Sequence, residues 1–431
     1  MQKISYQPAS NFTDAFNLLL KELKEKKLYD AYYVYREESP IDELKARLVM
    51  DASPLKILYS GHGKSGKTTE LFRLIFELQD KYFIVFYSIL QEMEISDIEY
   101  VDVLLFVAFK LWESALEKNL KIDKEIVSDF NDWLEQITSE VILTRVEEKT
   151  KRKELGAKLK YLIGEVGTII RTDKTSRDEI RKRLSPRTSE VIERIDILIE
   201  SITQQTNKSP LVIIDDLEKA DLAIGEQLFF QHSQSLIRPS CKIVYTVPIS
   251  LIYSGNFRQV ETRFPQPVVL PMIRTKEEDG SIFQPGIDLL KRIIQQRVSE
   301  DLFESDALVH LVKSCNGVLS DLLSGAATCC VKAESRGKKK ITWDIVDEVC
   351  EQFTRTYRRM LLEKYYPKLD EIYKTKRTKN DQDLRDLLHM LATIEYEQGE
   401  YYNVHPAIVP ILKEKDLTKD AKSTKKRSPK T

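Results

Sequence analysis

The chain has 431 residues, 42% of them apolar and 31% charged, with a formal net charge of −1. That is enough apolar material for two or three packed domains, and too even a charge balance for a global field that would announce nucleic acid or an anionic membrane. Five cysteines, an odd count without a C-x-x-C pair, exclude a disulfide framework, and no apolar run is long enough to span a bilayer, so a cytoplasmic protein without membrane contact is expected.

Residues 1–54 read as a helical segment leading into a core at 55–273. LKILYS at 55–60 is a short apolar run, and TTELFRLIFELQ after the glycine-rich stretch repeats apolar residues at Leu71, Leu74, Ile75 and Leu78, which predicts strand, loop, helix. Further strands are expected at YFIVFYSI (82–89), LVIIDD (211–216), KIVYTVPI (242–249) and QPVVLP (266–271), whose nearly continuous apolar character suits a buried parallel sheet. Between the second and third strands lies a long insertion, about 95–205, which must carry its own structure. Helical stripes supply it: Val101, Leu104, Leu105, Ala108, Phe109 and Trp112; then Ile126, Phe130, Trp133, Leu134 and Ile137; then Val191, Ile195, Leu198 and Ile202. Residues 145–187 are dense in cations (KTKRK, RDEIRKR), either a solvated helical arm or a contact for nucleic acid or an acidic partner.

The polar break RTKEEDGSIFQPG (274–286) marks an expected domain boundary, after which helices form a lid at 285–353 with Asn316 and Gly317 as a turn. Residues 354–412 end in TIEYEQGEYYNV (393–404), which alternates around Gln398 and Gly399 as a two-stranded hairpin behind the helix DLRDLLHMLA. The segment 413–431 is a polar, basic tail expected to be disordered.

The chemistry concentrates at YSGHGKSGKTTE. Gly61, Gly66, Lys67 and Thr68 complete the spacing G-x-x-x-x-G-K-[ST], and the loop Gly61, His62, Gly63, Lys64, Ser65, Gly66, Lys67, Thr68, Thr69 would turn successive amides toward one phosphate at a helix N-terminus. Lys67 would reach the β- and γ-phosphates and Thr68 would ligate Mg²⁺. Asp215, closing LVIIDD, would hold the metal's water shell, and Asp216 would polarise the attacking water. The only Asn-Lys, in NKSP at 207–210, precedes Asp215 and lacks the following Asp that a Ras-type guanine site needs, so ATP is the expected nucleotide.

This order of motifs resembles the AAA+ and STAND ATPases, particularly the subset similar to origin-recognition ATPases. The resemblance implies an α/β P-loop core with sheet order 5-1-4-3-2, a long helical insertion, a helical lid and a small C-terminal winged-helix-like module. It nominates Thr246 in KIVYTVPIS as the polar sensor and Arg263 in ETRFPQPVVLP as an arginine finger supplied to a neighbouring subunit, with Arg258 in reserve and a surface pair with Glu261 as the plain alternative. Tyr35 and Arg36 stand where the family contacts adenine, or serve packing. SCNGVLSDLL resembles the lid segment that ordinarily carries an arginine, here Ser320. With Asp216 where fast motors carry Glu, the resemblance implies slow hydrolysis and an ATP-dependent homo-oligomeric switch acting on a regulatory or effector protein. The alternatives are an ATP-dependent DNA-binding factor, gripping DNA through 145–187 and the tail, and a scaffold with a dead site. The wing carries Glu395, Glu397 and Glu400 and no cation, which favours a protein partner. His405 reads as structural, and His62 has no expected catalytic role.

Overall fold

The computed structural model describes residues 7–138 and 155–415; the KTKRK stretch and most of the basic tail lie outside them. In chain order, α1 (Phe12–Leu19), α2 (Lys26–Tyr32) and α3 (Ile41–Met50) precede β1 (Lys56–Gly61), which leads through the glycine-rich loop into α4 (Lys67–Leu78) and β2 (Phe83–Ser88). The insertion follows as α5 (Tyr100–Glu117), α6 (Lys124–Ile137), α7 (Leu155–Thr172), α8 (Lys174–Leu184) and α9 (Thr188–Thr206). Then come β3 (Pro210–Asp215), β4 (Lys242–Pro248) and β5 (Val268–Leu270). Four lid helices, α10 (Gln284–Gln295), α11 (Ala307–Cys315), α12 (Leu319–Ser335) and α13 (Trp343–Met360), are followed by α14 (Tyr366–Thr375), α15 (Gln382–His389) and the hairpin of β6 (Thr393–Tyr396) and β7 (Tyr401–Val404).

The five core strands form one parallel sheet in the order β2-β3-β4-β1-β5, the expected 5-1-4-3-2 read from the other edge. β1, β3 and β4 are buried at every position, because both faces of the sheet are covered and an alternating pattern would put polar groups into apolar layers. No described helix is long and apolar enough to cross a membrane. All five cysteines are free thiols, four of them buried.

The chain divides into two units. One contains residues 41–60 and 74–268, the strands β1 to β4 and the insertion. Its core runs from Val85 and Val212 in the sheet to Leu104, Phe130, Val166 and Ile195 in the insertion helices. Trp112 and Trp133 flank Phe130 with ring centroids 5.2 and 5.3 Å away, so the aromatic stripes read from the sequence meet in one layer. Asn207, in the NKSP segment, takes a left-handed φ of 53° and ends α9.

The described part of the basic segment, 155–187, is not a plain solvated arm. Arg177 and Arg181 on α8 turn inward and are buried, Arg177 against Asp97 and the Ile170 carbonyl, Arg181 against Asp97 and the buried Asp102 at 2.6 Å. Burial raises the Asp102 carboxyl against the opposing pull of Arg181. Helical periodicity explains the split: Arg177 and Arg181 are one turn apart on the apolar face with Ile180 and Leu184, while Lys182 and Arg183 face solvent.

The other unit contains residues 7–40, 61–73 and 269–415. Its N-terminal helix α1 packs on α12, with Phe12, Ala15 and Leu19 in the same core as Leu290, Leu311, Ala326 and Val346, so residues 7–40 belong with the lid helices. The expected boundary at 274–286 is instead a short turn closed by the Lys276–Ile282 bridge and the Phe283 N–H to Thr275 O bond, with the Arg274 guanidinium over the Phe283 ring; the division falls earlier, at 268/269. Gly and polar residues there serve a tight reversal and not a linker. The hairpin is seated by Ile394, Tyr396 and Tyr401 on Met272 and Val318, its two tyrosines stacked at 5.2 Å.

Removing one partner of a buried ion pair strands the other charge. Arg181→Met is expected to cost about 3–5 kcal/mol in urea denaturation, whereas Lys182→Met, one residue along on the exposed face, is expected to stay within about 0.5 kcal/mol.

Candidate functional site

β1 runs out at Gly61 and α4 begins at Lys67, so five residues must reverse the chain and leave the first helical amides without intrahelical acceptors. Three positive φ angles make the reversal: 151° at Gly61, 63° at Lys64 and 95° at Gly66. A Cβ on Gly61 would lie 2.7 Å from the Leu270 carbonyl, and one on Gly66 3.0 Å from Leu319 Cδ2. Gly63 has open space around it. Lys67 is buried, and its ammonium donates to the carbonyls of Gly61 at 3.2 Å and His62 at 3.0 Å, closing the loop on itself. Thr68 and Thr69 are half-buried in the first turn of α4.

Two polar atoms in this loop are buried without a partner among the described residues, Ser65 Oγ and His62 Nδ1. Orphaned polar groups beside a buried lysine, in a backbone that two side-chain-free positions hold open, fit a phosphate. Burial, and then the charge of Lys67, pushes the His62 imidazolium down to about 3, so the ring is neutral at ordinary pH.

Tyr35 and Arg36 both sit beside the loop, with different roles. Arg36 is buried and donates from its two terminal nitrogens to Ser65 O and Pro271 O, each at 2.8 Å, so it braces the loop's backbone. Tyr35 is 50% exposed and its ring lies under the Arg73 guanidinium at 4.8 Å. Together with Ile273, Arg274, Phe283 and Gly286 they line a cleft of about 580 Å³, a size that admits a nucleoside. Glu70, one turn into α4, is buried and accepts from Tyr33 Oη at 3.0 Å and Ser39 Oγ at 2.5 Å, fixing the 33–39 segment to the helix that follows the loop. Glu70 and Phe283 carry no motif and were not among the sequence candidates.

The lid and hairpin also reach the loop. Ser320, the position of the missing arginine, is exposed and donates its N–H to the Lys64 carbonyl at 3.3 Å. Asp321 pairs with Lys64 Nζ at 2.7 Å and faces His405 Nε2 at 3.3 Å. Burial alone would raise the Asp321 carboxyl, but His405 and Lys64 hold it below its ordinary value. His62 Nε2 accepts the backbone N–H of Glu395 at 2.8 Å, across 333 residues of sequence. Neither histidine offered a sequence signal for these contacts, since the separation is long and one partner is backbone.

In the other unit, β3 and β1 are parallel with β4 between them, so β3 ends in Asp215 at the edge of the sheet where β1 ends. Asp215 is buried, and its Oδ1 accepts the Asp216 N–H at 2.9 Å. Asp216 takes a left-handed φ of 70°, accepts from Ser88 Oγ and pairs with Lys219 at 2.7 Å. Carboxylate oxygens of Asp215, Asp216 and Glu218 lie within 4.8 Å of one another, a set able to hold a hard cation. Thr246 is fully buried, and its hydroxyl accepts the Leu217 N–H at 3.1 Å, tying β4 to the turn after β3. Arg263 is half-buried and donates to Ser233 Oγ at 2.8 Å, not to Glu261; Arg258 is exposed.

No protein-family model matches the sequence, and a search of curated proteins finds no match. Solved structures do resemble it. Cdc6p from Pyrobaculum aerophilum aligns with a TM-score of 0.44 at 11% identity, covering 93% of this chain and 98% of that one. The Aeropyrum pernix ORC1 protein, in complex with DNA, gives 0.43 at 12% identity over 94% and 98%. The Aeropyrum pernix ORC2 protein, in its ADPNP and ADP complexes, gives 0.42 at 10% over 91% and 99%. The likeness is one of fold, to Cdc6 and ORC proteins. At such identities and TM-scores it assigns no ligand or partner to this chain.

The two loop glycines are expected to part company on substitution. Gly63→Ala should fold and melt like the parent, whereas Gly66→Ala, strained by its φ and by Leu319, should lose stability in thermal melts by about 1–3 kcal/mol. His62 gives a pH signature. Its folded pKa lies below the unfolded value, so the unfolded chain binds the extra proton as pH falls from 6.5 toward 3, and stability is lost in that window. Between pH 7 and 5 the parent should lose about 2 kcal/mol more than His62→Gln in parallel denaturant titrations.

Proposed function

We propose that the protein is an ATP-binding, slowly hydrolysing P-loop ATPase that works as a nucleotide-dependent oligomerisation switch on a partner protein. The observation that carries the reading is the loop itself: a buried Lys67 folded onto its own loop carbonyls, flanked by two positive-φ glycines and two orphaned polar atoms. In this reading Lys67 neutralises the β- and γ-phosphates, and the cleft beside Tyr35 and Phe283 takes the adenosine. Mg²⁺, which supplies charge neutralisation across the phosphates when bound, is assigned from sequence to Thr68 and Asp215. Asp216 orients the attacking water and Thr246 fixes the turn that carries it. The pairing of Asp216 with Lys219 and Ser88 supports a slow rate, because its carboxylate oxygens are already engaged by a cation and a hydroxyl and must leave them to meet a water. A neighbouring subunit would supply the arginine finger, Arg263 after leaving Ser233 or Arg258 from its exposed turn.

A second reading, an ATP-dependent DNA-binding factor, is favoured by one surface feature. Lys338, Lys339 and Lys340 form an exposed cationic turn between α12 and α13. Against it, cations of the C-terminal module face carboxylates: Lys364 with Asp383, Lys368 with Asp381, Lys374 with Asp370 and Lys415 with Glu363.

Calorimetry should show ATP uptake that Lys67→Ala abolishes, and light scattering should show an ATP-dependent increase in mass that is lost in Arg263→Ala or Arg258→Ala. If the parent binds ATP and its mass does not change, the switch is wrong. DNA affinity that falls steeply with salt would favour the second reading, and replacing Lys338, Lys339 and Lys340 by Gln should then reduce the log–log salt slope by about 2–3.

A further inference from the structure

His62 lies in the loop between the motif's invariant positions, where the side chain is free to vary, yet it is fully buried and engaged with the far end of the chain. On the hairpin, Glu395 stands opposite Tyr402, and both amides of that pair point outward: Tyr402 N–H goes to Lys376 O at 2.9 Å and Glu395 N–H to His62 Nε2 at 2.8 Å. The free edge of β6 thus finds its acceptor on the phosphate loop and not on another strand. An imidazole that accepts through Nε2 carries its proton on Nδ1, the atom left without a partner among the described residues. Two residues on, Lys64 is held in its left-handed conformation from the lid, by the Ser320 N–H on its carbonyl and Asp321 on its ammonium. Asp321 is backed by His405, whose Nδ1 accepts the Ala407 N–H and whose ring lies 4.6 Å from that of Tyr357.

We propose that His62 is a positioning residue through which phosphate in the loop and the C-terminal hairpin set each other's geometry, the phosphate being that of the nucleotide proposed above. The physical ground is the cost of losing a buried hydrogen bond: a displacement of the imidazole by about 1 Å takes the Glu395 N–H contact out of hydrogen-bonding range. A phosphate that fixes residues 61–66 therefore fixes the acceptor of β6, and a loop free to move releases it. The coupling is reciprocal, so whatever protein docks on the hairpin changes nucleotide affinity by the same factor by which nucleotide changes its own.

The test is amide hydrogen exchange at Glu395 in the full chain, with and without ATP and Mg²⁺, each variant at a nucleotide concentration shown by calorimetry to saturate it. In the parent, ATP should slow exchange of that amide by about 5- to 150-fold, the range of ordinary coupling between sites. His62→Leu, which offers no acceptor, should lose the ATP-dependent slowing, and His62→Gln, which keeps one, should recover part of it. Equal slowing in the parent and His62→Leu, or bound ATP that leaves Glu395 exchange unchanged in the parent, overturns the inference and leaves ATP binding standing. Should His62→Leu not fold, the parent and His62→Gln still decide it. Absence of any calorimetric uptake by the parent overturns the proposed function, and this inference with it.

Discussion

The ammonium of Lys67 rests on the carbonyls of Gly61 and His62, six and five residues back along the chain. A buried cation needs acceptors, and these are supplied by the backbone of the loop that precedes it, so the loop cannot open without exposing or stranding the charge. With the carbonyls drawn to Lys67 and Arg36 bracing Ser65 O, the loop's oxygens are committed on one side. The fold is arranged around that requirement: a buried strand to launch the loop, a helix to receive it, and an edge strand, β5, whose Leu270 carbonyl stands where a Cβ on Gly61 would go.

Around this loop the chain uses variable residues for support. Lys64 adopts a backbone conformation that glycine would take more cheaply, and it is kept there by two contacts from the first turn of α12. At the lid segment whose arginine the sequence already showed to be replaced by Ser320, the lid presents Ser320 and Asp321 to the loop, and Asp321 takes the cation of Lys64. The lid holds the loop, through Ser320 N–H on the Lys64 carbonyl and Asp321 on its ammonium.

Much of the fold was legible because it obeys local rules. Five apolar runs became five strands within about two residues of the expected bounds, and the hairpin at 393–404 followed from alternation around Gln398 and Gly399. What was not legible depends on side-chain direction or distance in sequence. RDEIRKR reads as a charge run, and only the phase of α8 sends Arg177 and Arg181 inward to Asp97 and Asp102. RTKEEDGSIFQPG has the composition of a linker, but Arg274 stacking on Phe283 makes it one wall of a cleft. Tyr35 and Arg36 were singled out together from one dipeptide, and the structure separates them into a cleft wall and a backbone brace. His405 was read as structural and His62 as without a catalytic role, readings that say nothing of hydrogen bonds to a main-chain amide or a carboxylate from elsewhere in the chain.

A loop braced in this manner suits a switch better than a motor. A motor must cycle its phosphate loop and lid many times per second, and each cycle would break the contact of the exposed Lys64 with the buried Asp321 and a buried amide bond to His62, both of which favour one geometry. Contacts of that kind slow the exchange between states while sharpening the difference between them. The same preference for few, well-separated states is written at the end of β3, where Asp216 is held by a left-handed backbone, a serine hydroxyl and a lysine at once. Under the proposed function, constraints of this kind suit an assembly controlled by occupancy and not by flux.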